Sequence, residues 1–200
     1  SASNFIHTLE QIIYYASSPK GLGYDIGNII LIGRSIGTGV VVDVATRFPE
    51  LKGIILISAF ISIREVAKGI AGAISRLFVS DIFKSYSIID KVKCPTLFIH
   101  GKKDTLIPPH HSACLFYKAK CIKKLYFAEE MDHNRAKLQR DIYKPIEDFL
   151  INELQIKDHK DLIIEPIKNE EYPAIIPDFL GVKGKESSSS LFKKRKKGAL

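Results

Sequence analysis

Cysteine is scarce in this sequence: there are three in 200 residues, an odd number with no Cys-x-x-Cys pair. That excludes a disulfide-stapled scaffold and offers no thiolate cluster for zinc. Cys94, Cys114 and Cys121 therefore read as buried structural thiols. Long apolar runs are also missing. The longest, Gly53 to Ile63, falls well short of the roughly 20 residues a membrane-spanning helix needs. No secretory signal opens the chain, because Asn4 to Ala16 has the spacing of an amphipathic helix rather than a charged head and an apolar run. The glycines lack the G-x-G-x-x-G spacing of a dinucleotide loop, and His110-His111 are adjacent instead of four apart, so they cannot present one helical face to a metal. His7 reads as a helix-surface residue and His159 lies near a tail boundary. These absences imply no cofactor and no metal. They leave a soluble chain from a reducing compartment, expected in the cytoplasm. Methionine occurs once, at Met131, so the chain as written does not begin at an initiator, as expected for a piece of a longer protein.

What is present is the composition of a folded domain: 46% hydrophobic and 26% charged residues. A chain of this length can bury roughly 70% of its unfolded surface without staples. The net charge is +8, and most of it sits at one end. Lys183 to Leu200 hold seven basic residues against one acidic, including Lys193-Lys194-Arg195-Lys196-Lys197 after the run Ser187 to Ser190. Such a segment cannot bury a core and reads as disordered. It is a solubilising end, an import-like patch, or a contact with an anionic membrane surface. The remaining residues carry no basic stripe interleaved with aromatics, which excludes nucleic-acid binding as the main function.

Asn4 to Ala16 sets Phe5, Leu9, Ile12, Ile13 and Ala16 at helical spacing, ended by Pro19 and Gly21. Asn28 to Ile32, Gly53 to Ile57, Thr96 to Ile99 and Lys124 to Phe127 read as strands, the first of them buried on both faces. Helices are expected over Val40 to Phe48, Pro109 to Lys118 and Ala136 to Leu154. Strands alternating with helices imply an α/β fold with a mostly parallel sheet and crossover connections. Between the second and third strands, Ile63, Val66, Ala67, Ile70, Ile74, Leu77 and Phe78 follow a helical stripe. It would serve as a lid or acyl-binding wall, or simply pack on the sheet. The resulting division is a body over 1–157, an extension over 158–182 that docks in part, and a basic tail over 183–200.

The chemistry concentrates at Gly33-Arg34-Ser35-Ile36-Gly37, a G-x-S-x-G string between an expected strand and an expected helix. A serine on such a strained turn is exposed at the end of the sheet, and side chains two positions to either side would block the approach. Serine needs a base and an orienting acid to become a nucleophile. Asp104 follows the third strand and His133 follows the fourth, in the order Ser, Asp, His expected for this elbow. Both lie at the carboxyl ends of strands, where parallel sheets bind ligands.

Three segments carry a resemblance over Asn4 to about Leu154: Asn28 to Gly39, Cys94 to Gly101 with Asp104, and Asp132-His133-Asn134. The chain resembles the C-terminal portion of an α/β-hydrolase, and in particular the alpha/beta hydrolase domain-containing protein 17 branch, serine hydrolases that remove palmitate from protein cysteines. The resemblance implies Ser35 as nucleophile, His133 as general base and then acid, Asp104 as orienting carboxylate, and the Ile36 backbone N–H as one oxyanion-hole donor. It implies an acyl-enzyme serine hydrolase acting on esters or thioesters, with acyl esters or acylated proteins as substrates. The alternatives are a carboxylesterase or serine peptidase of the same fold, and a non-catalytic module that binds lipid or protein. Departures from the family pattern are the early strands, the His-Gly loop that gives the second oxyanion donor, and the cysteine-rich N-terminus. Without a neighbour from those strands, the first strand here would expose Ile29, Ile30 and Ile32, and residues 1–200 alone are expected to be poorly soluble and nearly inactive.

Overall fold

The computed structural model describes residues 1–72 and 82–156. Four strands, β1 (Ile30–Arg34), β2 (Gly53–Ile57), β3 (Thr96–Gly101) and β4 (Lys123–Ala128), form a sheet in which every neighbouring pair is parallel, in the order β1-β2-β3-β4. Helix α1 (Ala2–Ser17) precedes β1, α2 (Ile36–Ala45) joins β1 to β2, and α3 (Ile63–Ala71) and the single turn α4 (Ser85–Ile88) lie between β2 and β3. Helix α5 (His110–Lys118) joins β3 to β4, and α6 (Lys144–Asn152) follows β4. Strand side chains alternate between faces, and the two resulting cores follow that period. Ile54, Leu56 and Phe98 pack with Ile13 of α1, Val41 and Val44 of α2, and Leu115 of α5. Ile55, Ile57, Leu97 and Ile99 pack with Met131, Phe149 of α6, and Leu154. The fold is the expected α/β class.

Four elements differ from the sequence reading. Strand β1 begins two residues later than expected, because Asp25 accepts the N–H of Gly27 at 2.8 Å and caps a 3₁₀ turn over Ile26–Asn28 that takes up Asn28. Its two faces are also buried unequally. Leu31 lies in the core; on the other face Ile30 packs in part on the core under α6, while Ile32 is 58% exposed, so of Ile29, Ile30 and Ile32 only the last is exposed as expected. Helix α1 turns a different stripe inward. Ile6, Leu9 and Ile13 meet the core, and Phe5 and Ile12 are exposed. Helix α2 starts at Ile36 rather than Val40. Gly39 inside it is a packing requirement, because a Cβ there would lie 2.5 Å from the Phe83 side chain. The expected closing helix over Ala136 to Leu154 is two pieces, a wide π-type segment at Leu138–Tyr143 and then α6. Pro145 explains the break. It has no N–H for the carbonyl four residues back, and its ring crowds that carbonyl, so the chain adopts the wider turn just before it.

Helix α3 is capped by Ser62, whose Oγ accepts the Glu65 N–H at 3.3 Å, and it ends at Gly72 in the left-handed region with φ +76°. Ile63 and Val66 rest on a small cluster of Phe60, Phe83 and Ile107 near the carboxyl end of the sheet. The rest of the expected stripe (Ile74, Leu77 and Phe78), the segments 158–182 and 183–200, and His159 lie outside the described residues. Among the described residues, no helix is long and apolar enough to cross a membrane.

Candidate active site

Ser35 sits between the last residue of β1 and the first of α2, with φ +50° and ψ −124°. A left-handed conformation is uncommon for a residue with a Cβ. It is held by three hydrogen bonds. The Ser35 N–H donates to the Ile57 carbonyl at 2.9 Å, and the Ser35 carbonyl accepts the Thr38 N–H at 2.9 Å and the Thr38 hydroxyl at 2.7 Å. Gly33 is required sterically. A Cβ there would come within 2.8 Å of the Gly37 carbonyl oxygen, in the first turn of α2. Gly37 is not under the same demand, because nothing among the described residues lies within 4 Å of a Cβ built on it. Packing within the protein thus demands glycine at the first of the two positions. The N–H of Ile36 belongs to the first residue of α2, where a helix supplies no acceptor of its own.

The three residues singled out in the sequence meet at the carboxyl end of the sheet. His133 Nε2 is 3.1 Å from Ser35 Oγ, and His133 Nδ1 is 2.8 Å from Asp104 Oδ2. Asp104 Oδ1 accepts the N–H groups of Leu106 at 3.1 Å and Ile107 at 2.8 Å. Burial pushes the Asp104 carboxyl up. The donors of His100, Ile107 and His133 outweigh it and hold the group well below the usual carboxylate range. An ionised Asp104 accepts, so the proton of a neutral His133 sits on Nδ1 and the Nε2 lone pair faces the serine hydroxyl. That arrangement can take a proton from Ser35 Oγ and return it to a leaving group.

The loop carrying His133 is fixed by contacts that its sequence does not announce. Asp132 Oδ1 accepts the N–H groups of Asn134 and Arg135, both at 2.8 Å, closing a tight turn around the histidine. A Cβ on Gly101 would lie 2.1 Å from the Met131 carbonyl oxygen, so only glycine lets this loop approach the end of β3. The Arg34 guanidinium, from inside the elbow motif, donates to the His133 carbonyl. Arg34, Gly101 and Asp132 were not singled out as site residues from the sequence. Each lies within two residues of one that was or of its strand.

His111 on α5 is buried and stacks on His110, with ring centroids 4.4 Å apart; its Nδ1 accepts the Ile61 N–H at 3.3 Å. Burial, and then the neighbouring His110 and His100, lower its pKa to about 4 against the pull of Glu65 and Asp104. In the unfolded chain the same group titrates near 6.5. The unfolded state therefore binds the extra proton between those values. His111 contributes its full stability above pH 6.5, and loses up to about 3 kcal/mol of it as the pH falls to 4. Melting temperatures measured across that range should fall less steeply for His111→Asn than for the wild type; parallel curves would contradict this. Cys94 is buried and its thiol is pushed up to about 12 by burial, while Cys114 and Cys121 are only half-buried. Among the described residues, no group of three His, Cys, Asp or Glu side chains is placed to hold a metal ion.

Comparison with known proteins converges on the same region. The family model described as Serine hydrolase (FSH1) matches residues 33–134. Alpha/beta hydrolase domain-containing protein 17C of Xenopus tropicalis is 32% identical over 127 residues, covering 64% of this chain and 40% of that protein. Uncharacterized membrane protein YNL320W of Saccharomyces cerevisiae is 32% identical over 129 residues, covering 62% of this chain and 45% of that protein. The chain thus spans less than half the length of these curated relatives. Among solved structures, the esterase domain from a Rhodothermus marinus protein superimposes with a TM-score of 0.54 at 20% identity, covering 70% of this chain and 64% of that one. At that identity the likeness concerns the fold.

Proposed function

The chain belongs to the serine hydrolase (FSH1) family, and from that membership we propose that it cleaves carboxylic esters or thioesters through an acyl-enzyme. The observation that carries the reading is the continuous hydrogen-bonded line from Ser35 Oγ through His133 to Asp104. Ser35 Oγ attacks the acyl carbon as its proton passes to His133 Nε2, forming a tetrahedral oxyanion beside the Ile36 N–H. Collapse expels the alcohol or thiol, which takes the proton from His133. Water, deprotonated by the same imidazole, then releases the acid and restores the serine. Asp104 holds the imidazole in its tautomer and stabilises its charged form.

Long-chain acyl groups on protein cysteines are the substrate class that the likeness to the domain-containing protein 17 relatives favours. A substrate of that kind lies at a membrane surface. The basic run Lys193 to Lys197 suits peripheral attraction to an anionic leaflet, worth about 1 kcal/mol per basic residue. The experiment is a series of thioesters of increasing acyl length, assayed with the protein at its full natural length. Each buried methylene is expected to contribute about 0.8 kcal/mol, or roughly fourfold in kcat/KM, until the binding surface is filled. A preference for acetyl over octanoyl esters would move the assignment to a short-chain carboxylesterase, and a preference for aminoacyl amides to a peptidase.

A further inference from the structure

Behind the Asp104 carboxylate lies a second histidine that the Ser35–His133–Asp104 line does not use. His100, on β3, is fully buried, and both of its ring nitrogens are engaged. Its Nε2 lies 2.7 Å from the Ile107 carbonyl oxygen and 3.6 Å from Asp104 Oδ2. Its Nδ1 lies 2.6 Å from the hydroxyl of Ser112 on α5, and that hydroxyl is 3.4 Å from the Ala59 carbonyl. A carbonyl oxygen only accepts, so Nε2 must carry a proton. The single Ser112 hydroxyl proton has two acceptors in reach, His100 Nδ1 at 2.6 Å and the Ala59 carbonyl at 3.4 Å, and either way the short contact holds the ring from behind.

The consequence concerns the shape of the turn from Asp104 to Ile107. Both N–H groups that hold Asp104 Oδ1 come from this turn, at Leu106 and Ile107. The Ile107 carbonyl, at its far end, is tied back to β3 only through the His100 ring among the contacts described. The same Nε2–H faces Oδ2, the oxygen that receives His133 Nδ1–H. We propose that His100 is a positioning residue for the Asp104 carboxylate: its Nε2–H, fixed on that nitrogen by the Ile107 carbonyl and with the ring held from behind by Ser112, clamps the Asp104–Ile107 turn and so aims Oδ2 at His133. This rests on the reading of Ser35, His133 and Asp104 as a catalytic line, and it extends that line to five side chains ending on Ser112.

The test uses the protein at its full natural length and a fluorophosphonate probe, which needs an activated serine but no knowledge of the natural substrate. His100→Leu removes the donor and His100→Gln keeps an N–H near the Nε2 position. Loss of aim should slow labelling of Ser35 in His100→Leu on the order of a hundredfold, while His100→Gln stays within about threefold of the wild type. A structural role alone would not separate these two variants at equal melting temperature. The far-downfield proton resonance of an imidazole N–H bound to a carboxylate should be present in the wild type and in His100→Gln and absent from His100→Leu. If His100→Leu does not fold, His100→Asn takes its place, because its amide is too short to reach Ile107 and Asp104; it should label as slowly as expected of the leucine variant. Equal labelling of the donor-keeping and donor-lacking variants, with the downfield resonance retained in both, would overturn the inference. A wild-type protein whose Ser35 is not labelled at all would instead overturn the catalytic reading on which it rests.

Discussion

Ser35→Ala should reduce kcat for a cleavable ester by about 10⁶-fold while leaving the fold intact. The size follows from what the hydroxyl does. It is the atom that would carry the acyl group, and no other hydroxyl shares its hydrogen bond to His133 Nε2 among the described residues. Alanine keeps the Cβ that already tolerates φ +50° at this position, and loses neither the backbone hydrogen bond to Ile57 nor those from Thr38. Stability should therefore change little, which separates loss of chemistry from loss of structure. The check is turnover of an activated ester alongside a thermal melt. A variant that melts like the wild type and retains more than about a thousandth of its turnover would remove Ser35 from the nucleophile's role.

Asp104→Asn should lower kcat by about 10⁴-fold with KM nearly unchanged. The amide is isosteric, and its carbonyl can still accept from Leu106 and Ile107. The position now held by Oδ2 would then be an NH₂ group, a donor facing His133 Nδ1 at 2.8 Å. His133 must answer by becoming an acceptor at Nδ1, which moves its proton to Nε2 and points it at Ser35 Oγ. The imidazole can no longer take the serine proton. The charge that held the imidazolium is lost as well. The measurement is kcat and KM at several pH values; a loss confined to KM would mean that Asp104 shapes the binding surface instead of orienting the base.

Much of this site can be read directly in the chain because its parts are local. Gly53 to Ile57 is an uninterrupted apolar run, and the structure makes it a strand buried along its whole length with the expected bounds. The glycine before Ser35 and the loops after the later strands mark where a parallel sheet delivers side chains to its carboxyl edge. The residues that brace those side chains are a different matter. Arg34 reaches the carbonyl of a residue 99 positions away, and His100 meets Ser112 across the loop that leads from β3 into the first turn of α5. Neither contact has a spacing rule, because it exists only once β1, β3 and α5 are side by side. The bounds of β1 escaped for a local reason of another kind. An apolar run does not reveal that Asp25 will spend its carboxylate on Gly27 and turn the chain through Asn28 first. At α1, the apolar residues cover more of the helix than its partner does. Periodicity then permits two overlapping stripes, and only the packing on α2 selects Ile6, Leu9 and Ile13 over Phe5 and Ile12.

The most direct measurement of the central claim is the site of covalent capture. The protein at its full natural length is treated with a fluorophosphonate, digested, and the modified peptide identified by mass spectrometry. The hydrogen-bonded line through His133 to Asp104 predicts one adduct, on the hydroxyl of Ser35, which disappears in Ser35→Ala and forms far more slowly in His133→Ala. An adduct on a different residue, or unchanged ester turnover in a protein whose Ser35 stays unmodified, would contradict it.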